Sequence, residues 1–349
     1  MRVIRLGTKM ARNERMQLIH QIEEMTDSRV LVLMLGDRRG LETKIASDIK
    51  PFCREHLMRM GPQKKISLYM YSTGGITMAG YALANLLREF SSSYDVIIPF
   101  KAHSCSTLIA LGADRIIMTK MAELSPIDPS VASPLGPFAP VPGGSGQQLR
   151  VIPVNVEDVV NYLELARKAL NIQDEELLTR LYDRLSQNVH PLVLGSVYRS
   201  REQIGFLAQM LLERHMNDKE RIRKIIEIIT RGRFSHDYVI GRKEAKELLE
   251  LPVVDVTPKL DDTILELYKQ YDDLLQLSKP YHPEQILKGE AKVTGNLDRA
   301  IVETVDLTHV FRSKREVSRV ELTPPQVPIP QTVYAERDLG EGWETDNSI

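Results

Sequence analysis

A chain of 349 residues is long enough to bury a substantial core, as one large domain or two modest ones. Hydrophobic residues make up 42% and charged residues 27%, and 46 basic side chains against 47 acidic ones leave no global pull toward nucleic acid or an anionic membrane. The two cysteines, Cys53 and Cys105, lie far apart without metal-ligand spacing, so no disulfide framework or zinc site is expected, and a reducing cytoplasm is the expected compartment.

Residues 1–27 are mixed in charge, read as an amphipathic helix over 10–26, and lack the apolar core of a signal peptide. A strand follows at Arg29–Leu35, then a helix over 41–60 and a buried strand at Ile66–Tyr71. A helix over 76–90, a strand at Asp95–Phe100, a helix opening near Ser104 and a strand at Arg115–Met118 continue the alternation. Short apolar strands between amphipathic helices predict an α/β fold with a mostly parallel sheet covered on both faces. The Pro, Gly and Ser residues of 125–150 predict a long loop of the functional or mobile kind. Helices are predicted over 156–170, 173–187, 199–216, 218–231 and 259–277, with a helix and an edge hairpin inside 297–320. Residues 321–349 turn polar, Pro-rich and finally acidic, which predicts a disordered tail carrying the lone Trp343 as an incidental aromatic or a docking anchor. No run approaches the ~20 apolar residues of a membrane span.

The chemistry-bearing signal is a pair of strand-to-helix junctions. In the first, Ser72-Thr73-Gly74-Gly75 follows a strand, and two glycines there let the backbone come close to a ligand with unpaired N–H groups at a helix start. In the second, Lys101-Ala102-His103-Ser104-Cys105-Ser106 joins a strand to an apolar helix. Ser104 has small residues, Ala102 and Ser106, two positions away on each side, as a nucleophile on a tight turn requires, and the N–H of Cys105 points where an oxyanion could sit. The competing reading is that Ser104 or Ser106 only caps the helix.

The run from STGG through AHSCSTLIALGADRIIM to Pro126-Ile127-Asp128-Pro129 resembles the Clp-fold serine peptidases, which include the Clp proteolytic subunit and signal peptide peptidase A. Within them it is most similar to the serine dehydrogenase proteinase family, whose His-Asp-Tyr-Pro-Ile segment resembles GRFSHDYVIGRKEAKELLELPVVD here, with Val239 in place of proline. The resemblance covers residues 28–256 and implies a Clp/crotonase-type fold and peptide-bond cleavage by nucleophile Ser104. It places Gly74 or Gly75, with Cys105, as oxyanion donors. It implies a peptidase domain over 28–256 containing the 125–150 loop, and a homo-oligomer; the apolar spacing beyond it predicts a helical and strand extension over 257–320. The positions of the Clp histidine and aspartate fall near Pro126 and at Gly232.

His236 is therefore the first candidate for the general base, with Asp237 as a candidate orienter. Lys168 and His190 are further candidates, each with a plainer reading as a solvated helix charge and a turn residue. His103 is expected to point away from the serine. No P-loop, dinucleotide fingerprint or zinc motif is present, so neither metal nor cofactor is called for. The expected partners are a protein or peptide substrate and further copies of the chain, with an unfoldase or other protein as a candidate. Two alternatives share the fold: a crotonase-like acyl-CoA enzyme, and a non-catalytic peptide-binding or scaffold protein.

Overall fold

The structure, a computed structural model, describes residues 9–128, 130–140, 149–230, 238–287, 289–322 and 331–348. In chain order the first elements are α1 (Lys9–Thr26), β1 (Arg29–Leu35), α2 (Ile49–Met60), β2 (Gln63–Tyr71), α3 (Thr77–Phe90) and β3 (Ser91–Ile98). There follow β4 (Lys101–Ala102), α4 (Cys105–Leu111), β5 (Arg115–Met118), β6 (Glu123–Leu124), β7 (Ser130–Val131), β8 (Phe138–Pro140), β9 (Leu149–Val151) and β10 (Val154–Asn155). Next come α5 (Val156–Glu164) with a π-turn at Leu165–Ala169, α6 (Glu175–Asn188), α7 (Pro191–Leu212) and α8 (Lys219–Thr230). The chain closes with β11 (Ile240–Gly241), α9 (Arg242–Glu247), β12 (Val253–Val254), α10 (Pro258–Leu275), α11 (Pro283–Leu287), β13 (Lys292–Thr304), β14 (Leu307–Leu322) and β15 (Gln331–Thr345).

These elements divide into two compact units, residues 1–124 with 241–349, and residues 125–240. The first unit holds an eight-stranded sheet in the order β12-β5-β3-β2-β1-β13-β14-β15. Its strands β12, β5, β3, β2 and β1 run parallel. The remaining pairs, β1 with β13, β13 with β14 and β14 with β15, are antiparallel. The sheet is mixed, which corrects the mostly parallel sheet expected from strand and helix alternation. Alternation detects strands joined by helical crossovers, whereas β13 and β14 are joined by the two-residue turn Val305-Asp306, a connection only antiparallel strands can use.

The central strands are apolar without interruption because both faces are buried. Val30, Val32 and Met34 of β1 pack with Ile19 and Ile22 of α1 and with Ile264 and Leu267 of α10. Their alternates Leu31, Leu33 and Leu35 are equally buried and, by the two-residue period of a strand, face the opposite side, where α2 lies against β1. The helix and hairpin expected within 297–320 are the two long strands β13 and β14. Residues 331–345, expected as disordered tail, form β15, which pairs with β14 from Leu322↔Gln331 to His309↔Thr345.

The second unit is mainly helical, with α7 packed on α8 and a small apolar cluster of Val154, Val193 and Val197. The loop expected over 125–150 carries short ladders, Val154↔Val131 and Phe138↔Val151 among them. Helix α7 begins at Pro191, earlier than the predicted 199, because Pro191 occupies its first turn and the His190 side chain caps it. Among the described residues, no helix is long and apolar enough to cross a membrane.

Candidate active site

The two junctions singled out in the sequence lie side by side at the C-terminal edge of the parallel strands. The Ser72 N–H donates to the Lys101 carbonyl at 3.0 Å, and the His103 N–H donates to the Ser72 carbonyl at 3.0 Å. This bridge, Ser72 opposite Ala102, carries the pairing of the strands beyond their ends. The short ladder of β4 with β6, Lys101↔Glu123 and Ala102↔Leu124, supports the Ser104 segment from its other side.

Ser104 occupies φ +51°, ψ −114°, on the left-handed side of the map that a side chain with a Cβ avoids. Such a conformation costs on the order of 1–3 kcal/mol and survives only where its surroundings impose it. Although Ser104 stands at the N-cap of α4, its side chain makes no capping hydrogen bond. Gly74 explains part of the constraint. A Cβ built there would fall 2.8 Å from Ser104 Cβ and 2.9 Å from the His103 carbonyl oxygen, and Gly74 itself has φ +103°. Only glycine fits at that approach.

The neighbouring N–H groups are not equivalent. Gly74 N–H donates to Ser72 Oγ at 2.9 Å and is thereby occupied. The N–H groups of Gly75 and Cys105 donate to no acceptor among the described residues. Gly75 is held in place by the extended segment before α2. Ile45 N–H donates to the Gly74 carbonyl at 2.9 Å, and Ile76 N–H donates to the Ile45 carbonyl at 2.7 Å. A Cβ on Gly75 would lie 2.2 Å from the Ile45 oxygen. Among the described residues, two N–H groups without acceptors thus belong to the paired junctions that carry the strained serine, and donors of this kind can stabilise an oxyanion. Ser72 and Ile45, which position these donors, were not legible as site residues in the sequence.

The other side chains nearby have assignable roles. Burial pushes the Cys105 thiol up to about 12, and Cys105 Sγ lies 3.3 Å from the Ile76 carbonyl. It stays a neutral thiol and offers no competing nucleophile. His103 Nε2 lies 3.0 Å from Glu123 Oε1. Burial lowers the His103 pKa, outweighing the opposing pull of the Glu123 carboxylate. Lys101 Nζ donates to Asp37 Oδ2 at 2.8 Å.

Lys168 and His190 both belong to the unit of residues 125–240. Lys168 is 81% exposed and ion-paired with Glu164 one turn away. The His190 side chain accepts the Leu192 N–H as the N-cap of α7. Gly232, His236 and Asp237 lie outside the described residues.

Comparison with known proteins adds a family. The family described as ClpP-like SDH-type serine proteinase matches residues 5–188, more than half of the chain. The uncharacterized protein MJ0137 of Methanocaldococcus jannaschii is similar to this chain, 31% identical over 214 residues, 61% of this chain and 62% of that protein. Less than two thirds of that relative is therefore spanned. A second uncharacterized protein of the same organism, MJ1495, is 27% identical over 266 residues, 74% of this chain and 77% of its own length.

Proposed function

Because the chain belongs to the ClpP-like SDH-type serine proteinases, we propose that it is a serine peptidase whose nucleophile is Ser104. In this reading Ser104 Oγ attacks the carbonyl carbon of a peptide bond while a base accepts the hydroxyl proton. The tetrahedral oxyanion is held by the N–H groups of Gly75 and Cys105. The C–N bond then breaks, the leaving amine takes the proton, and water hydrolyses the serine ester to regenerate the hydroxyl.

The single observation that carries the reading is a Ser104 in left-handed backbone, without a capping bond, in a junction bonded to the Gly74-Gly75 turn, where the N–H groups of Gly75 and Cys105 donate to no acceptor among the described residues. Gly74 serves the same chemistry by its lack of a side chain, not as a donor, because Ser72 Oγ occupies its N–H. His236 is the first candidate for the base. The substrate is a protein or peptide, the working form is a homo-oligomer, and the compartment is cytoplasmic.

The test is labelling with a fluorophosphonate, with the adduct located by mass spectrometry. An adduct on Ser104 is expected, absent in Ser104→Ala and weakened in His236→Ala. A folded wild-type protein that takes up no probe would overturn the peptidase reading and favour a scaffold or a crotonase-like enzyme.

A further inference from the structure

One carboxylate reaches both halves of the site. Asp37 follows β1 and lies apart in sequence from either junction. Its Oδ1 accepts the Tyr71 hydroxyl at 2.7 Å, and its Oδ2 accepts Lys101 Nζ at 2.8 Å. Tyr71 is the last residue of β2 and immediately precedes the Ser72–Gly75 turn. Lys101 stands three positions before Ser104, within about 11 Å even for a fully extended chain. The two side chains emerge next to the Ser72–Ala102 bridge, the contact that sets one turn against the other.

We propose that Asp37 is a positioning residue, fixing the nucleophile turn relative to the oxyanion turn by holding Tyr71 with one oxygen and Lys101 with the other. The inference rests on the reading of Ser104 as nucleophile and deepens it. The bridge alone consists of two backbone hydrogen bonds at the ends of strands, Ser72 N–H to Lys101 and His103 N–H to Ser72. A third, side-chain tie across the same point resists the shear that the bridge permits. Burial, with Asp37 next in importance, raises the Tyr71 pKa, so the phenol remains a donor throughout the working range.

The tie lies at the edge of the core. The Asp37 and Lys101 side chains are 15% and 27% exposed, and they form part of the wall of a hollow of about 300 Å³ shared with Arg39, Phe100 and Tyr268. Both charges keep some contact with solvent, and a urea midpoint measured for each variant separates any loss of stability from a loss of rate. The geometric effect of the tie is not screened, because a displacement of about 1 Å between reacting groups can cost about 10²-fold in rate.

The experiment measures fluorophosphonate inactivation of the full chain, resolving the maximal rate from the half-saturating probe concentration. Asp37→Asn keeps an acceptor for Tyr71 and removes the ion pair; Lys101→Met removes it from the other side. Each is expected to lower the maximal rate by about 10–100-fold while half-saturation stays within about threefold. The double variant should lose no more than either single one, since both remove the same tie. Lys101→Arg, which keeps the charge, should recover most of the rate. Maximal rates equal to wild type in Asp37→Asn and Lys101→Met, or a loss confined to half-saturation, would overturn the positioning role alone. So would Lys101→Arg being as slow as Lys101→Met. A wild-type protein that is folded but never labelled would overturn the Ser104 reading and this one with it.

Discussion

Gly75 is pressed against the backbone of Ile45, and its replacement tests the oxyanion geometry at the scale of one methyl group. In Gly75→Ala the new Cβ would meet the Ile45 oxygen at 2.2 Å and the Ile45 nitrogen at 2.5 Å. Relief requires parting Ile45 from Gly74 and Ile76, with loss of the hydrogen bonds that aim the Gly75 N–H. Loss of one oxyanion donor costs about 10²–10³ in rate, so the probe reaction should slow by at least about 10²-fold. Gly61→Ala is the control. Its Cβ would meet nothing within 4 Å, so it should lower stability through its φ of +68° but leave the labelling rate alone. Equal labelling of wild type and Gly75→Ala would remove Gly75 from the oxyanion site. At this scale the sequence narrows the donor to two glycines and no further. What separates them is Ser72 Oγ capturing the Gly74 N–H, a contact set by turn geometry and not by residue type. Ser104 is similar: a cap and a nucleophile both want a small polar residue at a helix start, and the sequence does not reveal the left-handed backbone and the missing capping bond that this serine has.

Helix α3 approaches α4 closely because Gly80 has no side chain. A Cβ there would sit 2.3 Å from Cys105 Sγ, whose position is tied to the Ile76 carbonyl. Gly80→Ala should therefore destabilise the protein by about 1–3 kcal/mol, the usual range for overpacking. Cys105→Ala in the same chain removes the clashing sulfur and should recover most of that loss, measured by urea denaturation. A double variant no more stable than Gly80→Ala would show that the strain lies elsewhere in the helix pair. Elements whose burial is local were legible from the sequence: β1 and β5 have the predicted bounds, since unbroken apolar runs identify strands covered on both faces. The helical spacing predicts a helix over 41–60, longer than α2, because apolar Leu41 and Ile45 continue it. In the fold Leu41 lies in a turn, its N–H bonding the Arg38 carbonyl, while Thr43 N–H bonds the Gly36 carbonyl and Ile45 bonds the glycine turn, so the helical spacing conceals a support of the site. The hairpin of β13 and β14 was blurred for a related reason. Its register depends on partners far along the chain, while Ala, Glu and Leu in 297–307 suit a helix equally well.

Across the whole molecule, the end of the chain is bound to its beginning through a buried histidine pair that makes folding sensitive to acid. His56 on α2 bonds Thr304 Oγ1 of β13 at 2.9 Å and His309 Nδ1 of β14 at 3.1 Å, while His309 Nε2 lies 3.5 Å from Glu55. Phe52 packs on His309 and on Trp343 of β15, whose indole N–H donates to Asp48 at 2.8 Å. Polar, Pro-rich composition hides this closure, because β15 gains its order from β14 and α2 and not from its own residues. Burial, followed by the proximity of His309 and Arg59, pushes His56 down to about 3, and burial lowers His309 against the pull of Glu55. An unfolded histidine titrates near pH ~6.5. Above that pH both states are neutral and the full stability is present. Below it the unfolded chain binds protons that the native pair refuses, so stability falls as pH drops from about 6.5 toward 3. For His56 alone the slope is about 1.4 kcal/mol per pH unit, or about 2 kcal/mol by pH ~5, before most carboxylates titrate. Protonating both rings would also set N–H against N–H across 3.1 Å. Trp343, the single tryptophan, reports the event directly. Urea midpoints followed by its fluorescence should decline between pH ~7 and 5, and His56→Gln, less stable at neutral pH, should show a flatter decline. A wild-type midpoint constant over that window, or an unchanged slope in His56→Gln, would mean that the pair accepts its proton without loss and that acid sensitivity lies in other groups.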